Sequence, residues 1–285
     1  MPIAAGTILV ADPDAFGGGG GLIAVDPASG HQTALASGGN FVDPSGVAVT
    51  TSGGIVVSDR GAFGSGGLIM VDPGNGQQAT LSASTAFQRP MGIAPDGSGQ
   101  VVVAYLGAGE GAGKVIRVNP VNGEFHAVAA TVGFLTPAGV AVDQSGSVWV
   151  ADLDVSGSES VLHRIDAGDI HAVFARGEPP GAQYTGVAAE AHGRILVTST
   201  FAGSTGRVLR FGPVGVGPQH QHLAATVAQG GELADPFGIA VESSGAILVL
   251  DRANGVIRID RVTGKQTTVS SGGMFVGPLA ICVAR

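Results

Sequence analysis

The chain is poor in the residues that most often announce a chemistry. Its 285 residues include one cysteine, Cys282. A single thiol excludes an internal disulfide framework and suits a reducing compartment, so a cytoplasmic location is expected. Charged residues make up 13% and aromatic residues 5%. Lys and Arg number 14 against 22 Asp and Glu, a formal net charge of −8, and no basic cluster or arm occurs. Such a balance repels phosphate backbones, so nucleic acid is not an expected partner. Mean hydropathy is high for a water-exposed chain, +0.35, yet the apolar residues come in short runs such as Ile55-Val56-Val57 and Leu68-Ile69-Met70-Val71. None approaches the roughly 18 residues of a membrane span. Met1 to Gly6 has neither the basic start nor the long apolar stretch of a secretory leader. No membrane partner is expected, and a monomer is.

What the chain does have is glycine, 49 residues of it, much of it at repeating offsets beside short β-branched runs. That is turn chemistry between strands. A motif Pro-x-Gly-(Val/Ile)-Ala recurs as Pro44–Ala48, Pro90–Ala94, Pro137–Ala141 and Pro236–Ala240. Tyr184–Ala188 is a copy without the proline, and Pro278–Cys282 is a degenerate sixth. Taken at the glycine column, the intervals are 46, 47, 47, 52 and 42 residues. A period of this size carrying only strand signals predicts propeller blades. Each unit continues with a second strand (Ile55–Asp59, Val101–Tyr105, Val148–Asp152, Ile195–Ser199, Ile247–Asp251), a third, a turn such as Gly74-Asn75-Gly76, and a more polar fourth. The N-terminus starts mid-unit, with Thr7–Asp12 as a second strand, and the missing first strand is supplied by residues 278–284. The expected fold is therefore all-β: one six-bladed β-propeller over residues 1–285, four antiparallel strands per blade. Blade 1 is assembled from residues 1–39 plus 277–285, and blades 2–6 lie between 43 and 273. Pairing the two ends of the chain removes free sheet edges.

The repeat, and above all Asp251-Arg252-Ala253-Asn254-Gly255-Val256-Ile257-Arg258, resembles NHL-repeat propellers. The wider set that it resembles comprises strictosidine synthase-like proteins, the gluconolactonase/regucalcin group and virginiamycin B lyase. These motifs imply fold rather than activity. The gluconolactonase group holds a metal with Glu, Asn and Asp near the starts of inner strands. The comparable residues here are Ser45, Met91, Ala138, Thr185, Phe237 and Leu279, and none offers the oxygen ligands that a hard cation needs. None is the His or Glu that the lyase family uses. The resemblance thus implies no metal and no cofactor. For a condensing enzyme of strictosidine synthase type, Asp235 or Glu232 would be the pocket carboxylate.

Loops joining blades, and loops between second and third strands, gather on one face of a propeller. Here they carry Phe16, Phe41, Phe63, Phe87, Phe134, Tyr184, Phe201, Phe237 and Phe275, with Met91 and Tyr105 beside them. Aromatics on one rim predict a concave apolar site for a small molecule; the same rings also suit packing between blades. Among few polar neighbours (Arg60, Asp43, Glu110, Asp154, Glu178, Glu232, Arg252), the candidate catalytic groups are Arg89, Tyr105, Tyr184 and Asp235. Arg89 replaces the Asp or Thr found before other repeat prolines, and Tyr105 takes a slot held by Asp in four blades. That Asp column (Asp12, Asp59, Asp152, Asp251) is read as structural, since an acceptor ending a strand binds loop N–H groups. His220-Gln221-His222 puts two imidazoles on one strand face without a third ligand. The leading expectation is a metal-independent enzyme of the cyclase, lyase or condensing kind acting on an apolar metabolite. The alternatives are a non-catalytic scaffold or ligand-binding propeller, and a metal-dependent lactonase-type hydrolase.

Overall fold

A computed structural model describes residues 3–83, 88–108, 112–129, 133–153, 160–166, 168, 170–177, 181–201, 205–212 and 224–285. Six four-stranded antiparallel sheets form a β-propeller. The inner strands are Pro44–Val49, Pro90–Pro95, Pro137–Val142, Gln183–Ala189, Pro236–Val241 and Ala280–Val283. The last of these belongs to blade 1: Ala11 pairs with Ala280, and Ile8 with Val283. Among the described residues, no helix is long and apolar enough to cross a membrane.

The repeat glycine has a steric origin. A Cβ on Gly92 would lie 2.6 Å from the Ala138 carbonyl oxygen, and one on Gly139 would lie 2.8 Å from that of Thr185. Neighbouring inner strands meet backbone to backbone at this level, and only glycine leaves room. Blades 2 and 5 add hydroxyls here. Ser45 Oγ donates to the Pro90 carbonyl at 2.7 Å and Ser58 Oγ donates to that of Met91. Thr185 and Thr198 donate to the Pro236 and Phe237 carbonyls at 3.0 and 2.9 Å.

The buried aliphatic residues fall into clusters that join adjacent blades, such as Leu9, Leu22, Val47, Val57 and Ile69 between blades 1 and 2. In the blade 4–5 cluster Trp149 is fully buried, its ring 4.7 Å from that of Phe174, and its Nε1 donates to Asp143 at 2.8 Å.

The Asp column binds loops together. Asp59, fully buried, accepts the N–H groups of Val42 and Asp43 from the preceding linker at 2.8 and 3.0 Å. It also accepts those of Gly61 and Ala62 from its own loop at 2.9 and 2.8 Å. Asp251 does the same for Ala234, Asp235, Ala253 and Asn254. Asp12 reaches across the chain ends, accepting from Asp14 and Ala15 and from Val276 and Gly277. A second set of clasps lies farther out. The Gln32, Gln78 and Gln266 amides each donate to a glycine carbonyl in the Gly-Gly turn of the preceding blade, at 3.0 Å, and accept a backbone N–H from it.

Candidate functional site: the central channel

The propeller has two faces. The linker face carries the blade-joining segments and the loops between second and third strands. The turn face carries the turns that follow inner and third strands.

The residues expected to form a ligand site belong to the linker face, and they divide by burial. Phe41, Phe134 and Tyr184 are enclosed between sheets. Phe134 packs edge-on to His163 at 5.1 Å, and the Tyr184 hydroxyl donates to the Arg176 carbonyl at 3.0 Å. Their ring surfaces serve inter-blade packing, because a linker crossing from one sheet to the next drops its apolar side chain into the seam. Met91 is also buried, with Arg60 Nη1 3.9 Å from its sulfur. Phe201, Phe237 and Phe275 are half-buried, and the Arg252 guanidinium lies 5.0 Å from the Phe237 ring centroid. Phe16 and Phe63 are exposed at 38% and 41%. Both have φ of 55°, and their rings cover Gly21 and Gly67. Phe87 lies outside the described residues, as do Glu110, Asp154, Glu178 and His220-Gln221-His222.

The four candidate catalytic groups sit in three blades. Arg89 is an exposed side chain on a backbone with φ of 55°. Tyr105 is half-buried on the second strand of the same blade, and burial pushes its phenol above the ordinary range. Tyr184 is in the blade 4–5 core. Asp235 is ion-paired to Arg252 at 2.7 Å. Among the described residues no group of three His, Cys, Asp or Glu is placed to hold a metal ion. Among the described residues Asp152, His163 and His171 lie in a row: His163 Nε2 is 3.3 Å from Asp152 without hydrogen-bonding to it, and its Nδ1 is 2.7 Å from His171 Nε2. Burial and then the neighbouring His163 hold the His171 imidazole below its usual range.

The channel cavity opens on the opposite, turn face. It has a volume of about 800 Å³ and is walled by all six inner strands. Val47, Ile93, Val140, Val187 and Ile239, each following the repeat glycine, and Ile281, following Ala280 in the same column, form one tier. Val49, Pro95, Val142, Ala189, Val241 and Val283 form the next. No described residue on the proline side of the glycine column lines it. Each inner strand is also the edge of its sheet, so its outward backbone N–H and C=O groups are available to the channel.

The rim carries the charge. Glu190 is held bidentately by Arg210 at 2.6 and 2.8 Å, and Glu242 by Arg258 at 2.7 and 3.0 Å. Asp96 accepts a single contact from Arg117 Nε at 3.2 Å. This is a repeat column: an acid four residues after the glycine, matched by an arginine on the third strand. Blade 4 keeps both types, but Asp143 binds Trp149 while Arg164 binds Asp166 at 2.6 Å. The column is visible in the sequence once the units are aligned at glycine, and it is the signal that the aromatic count on the other face obscures. Arg261 and Arg285 complete the rim. The thiol of Cys282, also on the wall, is pushed up to about 12 by burial.

No known family profile matches the chain, and no curated protein matches it in sequence. Solved structures do match over nearly its whole length. The nidogen/laminin complex superposes with a TM-score of 0.76 at 14% identity, covering 98% of both chains. A gluconolactonase from Xanthomonas campestris gives 0.63 at 16%, over 93% of this chain and 85% of that one. A streptogramin B lyase gives 0.61 at 14%, over 86% and 74%. What the chain shares with these structures is the β-propeller fold, which in this chain has six blades.

Proposed function

We propose that the protein is a ligand-binding propeller that takes an apolar-bodied small molecule into its central channel through the turn face. The observation that carries this reading is the wall of the cavity. Two tiers of aliphatic residues from all six inner strands border an open cavity of about 800 Å³, within the roughly 300–1,000 Å³ usual for small-molecule sites. Strand-edge backbone groups supply the few oriented hydrogen bonds that such a site needs.

Binding is favoured over turnover by the state of the ionisable groups on the wall. A cyclase, lyase or condensing enzyme needs a base, an acid or a nucleophile free to act. Here the rim glutamates are tied to arginines and the only thiol is held neutral. The test is titration with the neutral fluorophore N-phenyl-1-naphthylamine. Saturable one-to-one binding is expected, weakened at least tenfold by Ala189→Trp, which fills the channel, with the melting temperature preserved. Unchanged binding in that variant would exclude the channel as the site.

A second reading, a protein-docking scaffold, is favoured by the exposed apolar residues of the linker face: Phe16, Val42, Phe63, Leu135 and Val276. Exposed apolar residues concentrated on one face are what an interaction site would require. Its test is capture of a partner from the source cell by the native protein and loss of that capture in Phe16→Ser/Phe63→Ser.

A further inference from the structure

Resting on the channel reading, we infer that the ligand is an organic anion: an apolar body in the channel with a carboxylate, sulfonate or phosphate head at the rim, met by Arg261 and Arg285.

The argument begins with which rim charges are free. The acids on the wall, Glu190 and Glu242, each have both oxygens engaged by an arginine of their own blade. Those four charges cancel in pairs and are held by geometry. Arg261 and Arg285 also line the opening, both are exposed, and neither guanidinium is ion-paired among the described residues. On a protein of net charge −8, the mouth of the cavity therefore presents two guanidiniums with no ion pair among the described residues, although the Asp260 carboxylate acts on Arg261 through space.

Both arginines depart from the repeat. Arg261 follows Asp260, the polar residue just past a third strand, and its slot is occupied by proline in Asp26-Pro27, Asp72-Pro73 and Asn119-Pro120. Its guanidinium lies against the Gly245 turn: a Cβ there would be 3.2 Å from Nη1. Arg285 stands five residues after the repeat position, where other blades have Thr51, Gly97, Gln144, Ala191 and Ser243. The fold asks for neither arginine, and the two fall in adjacent blades, 6 and 1. A fork of N–H donors beside an apolar chamber is the arrangement that binds the head of an amphipathic anion.

The test uses two probes that differ by one group, 8-anilino-1-naphthalenesulfonate and its uncharged parent N-phenyl-1-naphthylamine. Both are titrated against the full chain and against Arg261→Gln, Arg285→Gln and the double variant. The sulfonate is expected to bind the native protein about fivefold more tightly than the amine, a margin at the upper end of that for one exposed ion pair. The double variant should abolish that margin and leave the amine unchanged, and added salt should erode it in the native protein. A native protein that prefers the amine, or a preference that survives the double variant, would overturn the anion assignment while leaving the channel reading standing. If neither probe binds saturably, or if Ala189→Trp leaves the binding of both intact, the channel reading is removed and the anion assignment with it.

Discussion

Asp12→Ala removes one side chain on which both ends of the chain depend. Its carboxylate accepts the N–H groups of Asp14 and Ala15, each at 3.0 Å, and those of Val276 and Gly277 at 2.8 and 3.1 Å. The residue is fully buried, so a solvent molecule does not simply take its place. At about 1 kcal/mol for each donor left without its acceptor, the four sum to roughly 4 kcal/mol, a large part of the roughly 5–15 kcal/mol that holds a domain folded. For a chain of this length that is a fall in Tm of about 8 °C. Asp12→Asn keeps one oxygen for the local loop and turns an amide donor towards Val276, so about half the loss, roughly 2 kcal/mol, is expected. The location of the damage separates this clasp from its counterparts in other blades. Val276 is 264 residues from Asp12, whereas Val42 is 17 from Asp59. Hydrogen exchange should therefore accelerate across 276–283 and 7–12 in Asp12→Ala, but only around 42–43 and 61–62 in Asp59→Ala. Calorimetry and exchange mass spectrometry together decide the matter. A Tm shift under about 2 °C, or unchanged protection at 276–283, would refute the claim that this carboxylate closes the ring.

Gly92→Ala should unfold or severely destabilise the chain, because its Cβ would lie 2.6 Å from the Ala138 carbonyl oxygen; a well-folded variant by circular dichroism would contradict the steric account of the repeat. The His171 imidazole titrates below its usual value of 6.5, so the folded state binds fewer protons than the unfolded one. Stability should be level above about pH 7 and fall as pH drops through 6.5 towards the folded value, and urea unfolding of His171→Gln should show a flatter profile in that window. The Cys282 thiol, pushed up to about 12, should react slowly with a water-soluble disulfide reagent at pH 8 in the native protein and rapidly in denaturant; native reactivity equal to that of free cysteine would show that the channel wall is open there.

The architecture is legible in the sequence because its constraints are backbone constraints repeated six times. The glycine column survives in five units since nothing larger fits between inner strands, and the sixth, Ala280, marks where the chain ends meet. The structural role of Asp12, Asp59, Asp152 and Asp251 is legible for a similar reason: each ends a second strand, and loop N–H groups have few other acceptors. The linker aromatics are less tractable. Phe134 and Phe63 are the same residue type in neighbouring segments of the repeat, yet one is sealed between sheets and the other lies open over Gly67. Nothing in the pattern of either segment distinguishes a ring that turns into the seam from one that stays above it, because the choice depends on how the next blade presents its surface.

The functional end of the channel calls for comparing units with one another rather than counting residue types. Residues thirteen apart vary together: Ser45 with Ser58 and Thr185 with Thr198 where hydroxyls hold the next strand's carbonyls, but Met91 with Ala104, Ala138 with Ala151 and Phe237 with Leu250 elsewhere. The acid after the glycine varies with the third-strand arginine in the same manner, present in blades 3, 5 and 6 as Asp96/Arg117, Glu190/Arg210 and Glu242/Arg258 and replaced by Thr50/Met70 in blade 2. Such pairs are internal to the fold, since each member is explained by its partner. A residue that breaks the repeat and has no partner among the described residues is not explained by the packing they show. Arg261 and Arg285 form no ion pair among the described residues, they sit in adjacent blades, and they border the same cavity. An uncompensated charge costs nothing at an exposed rim and gains most when a counter-charge arrives from solution, so the place where the repeat goes unanswered is where an external group is expected.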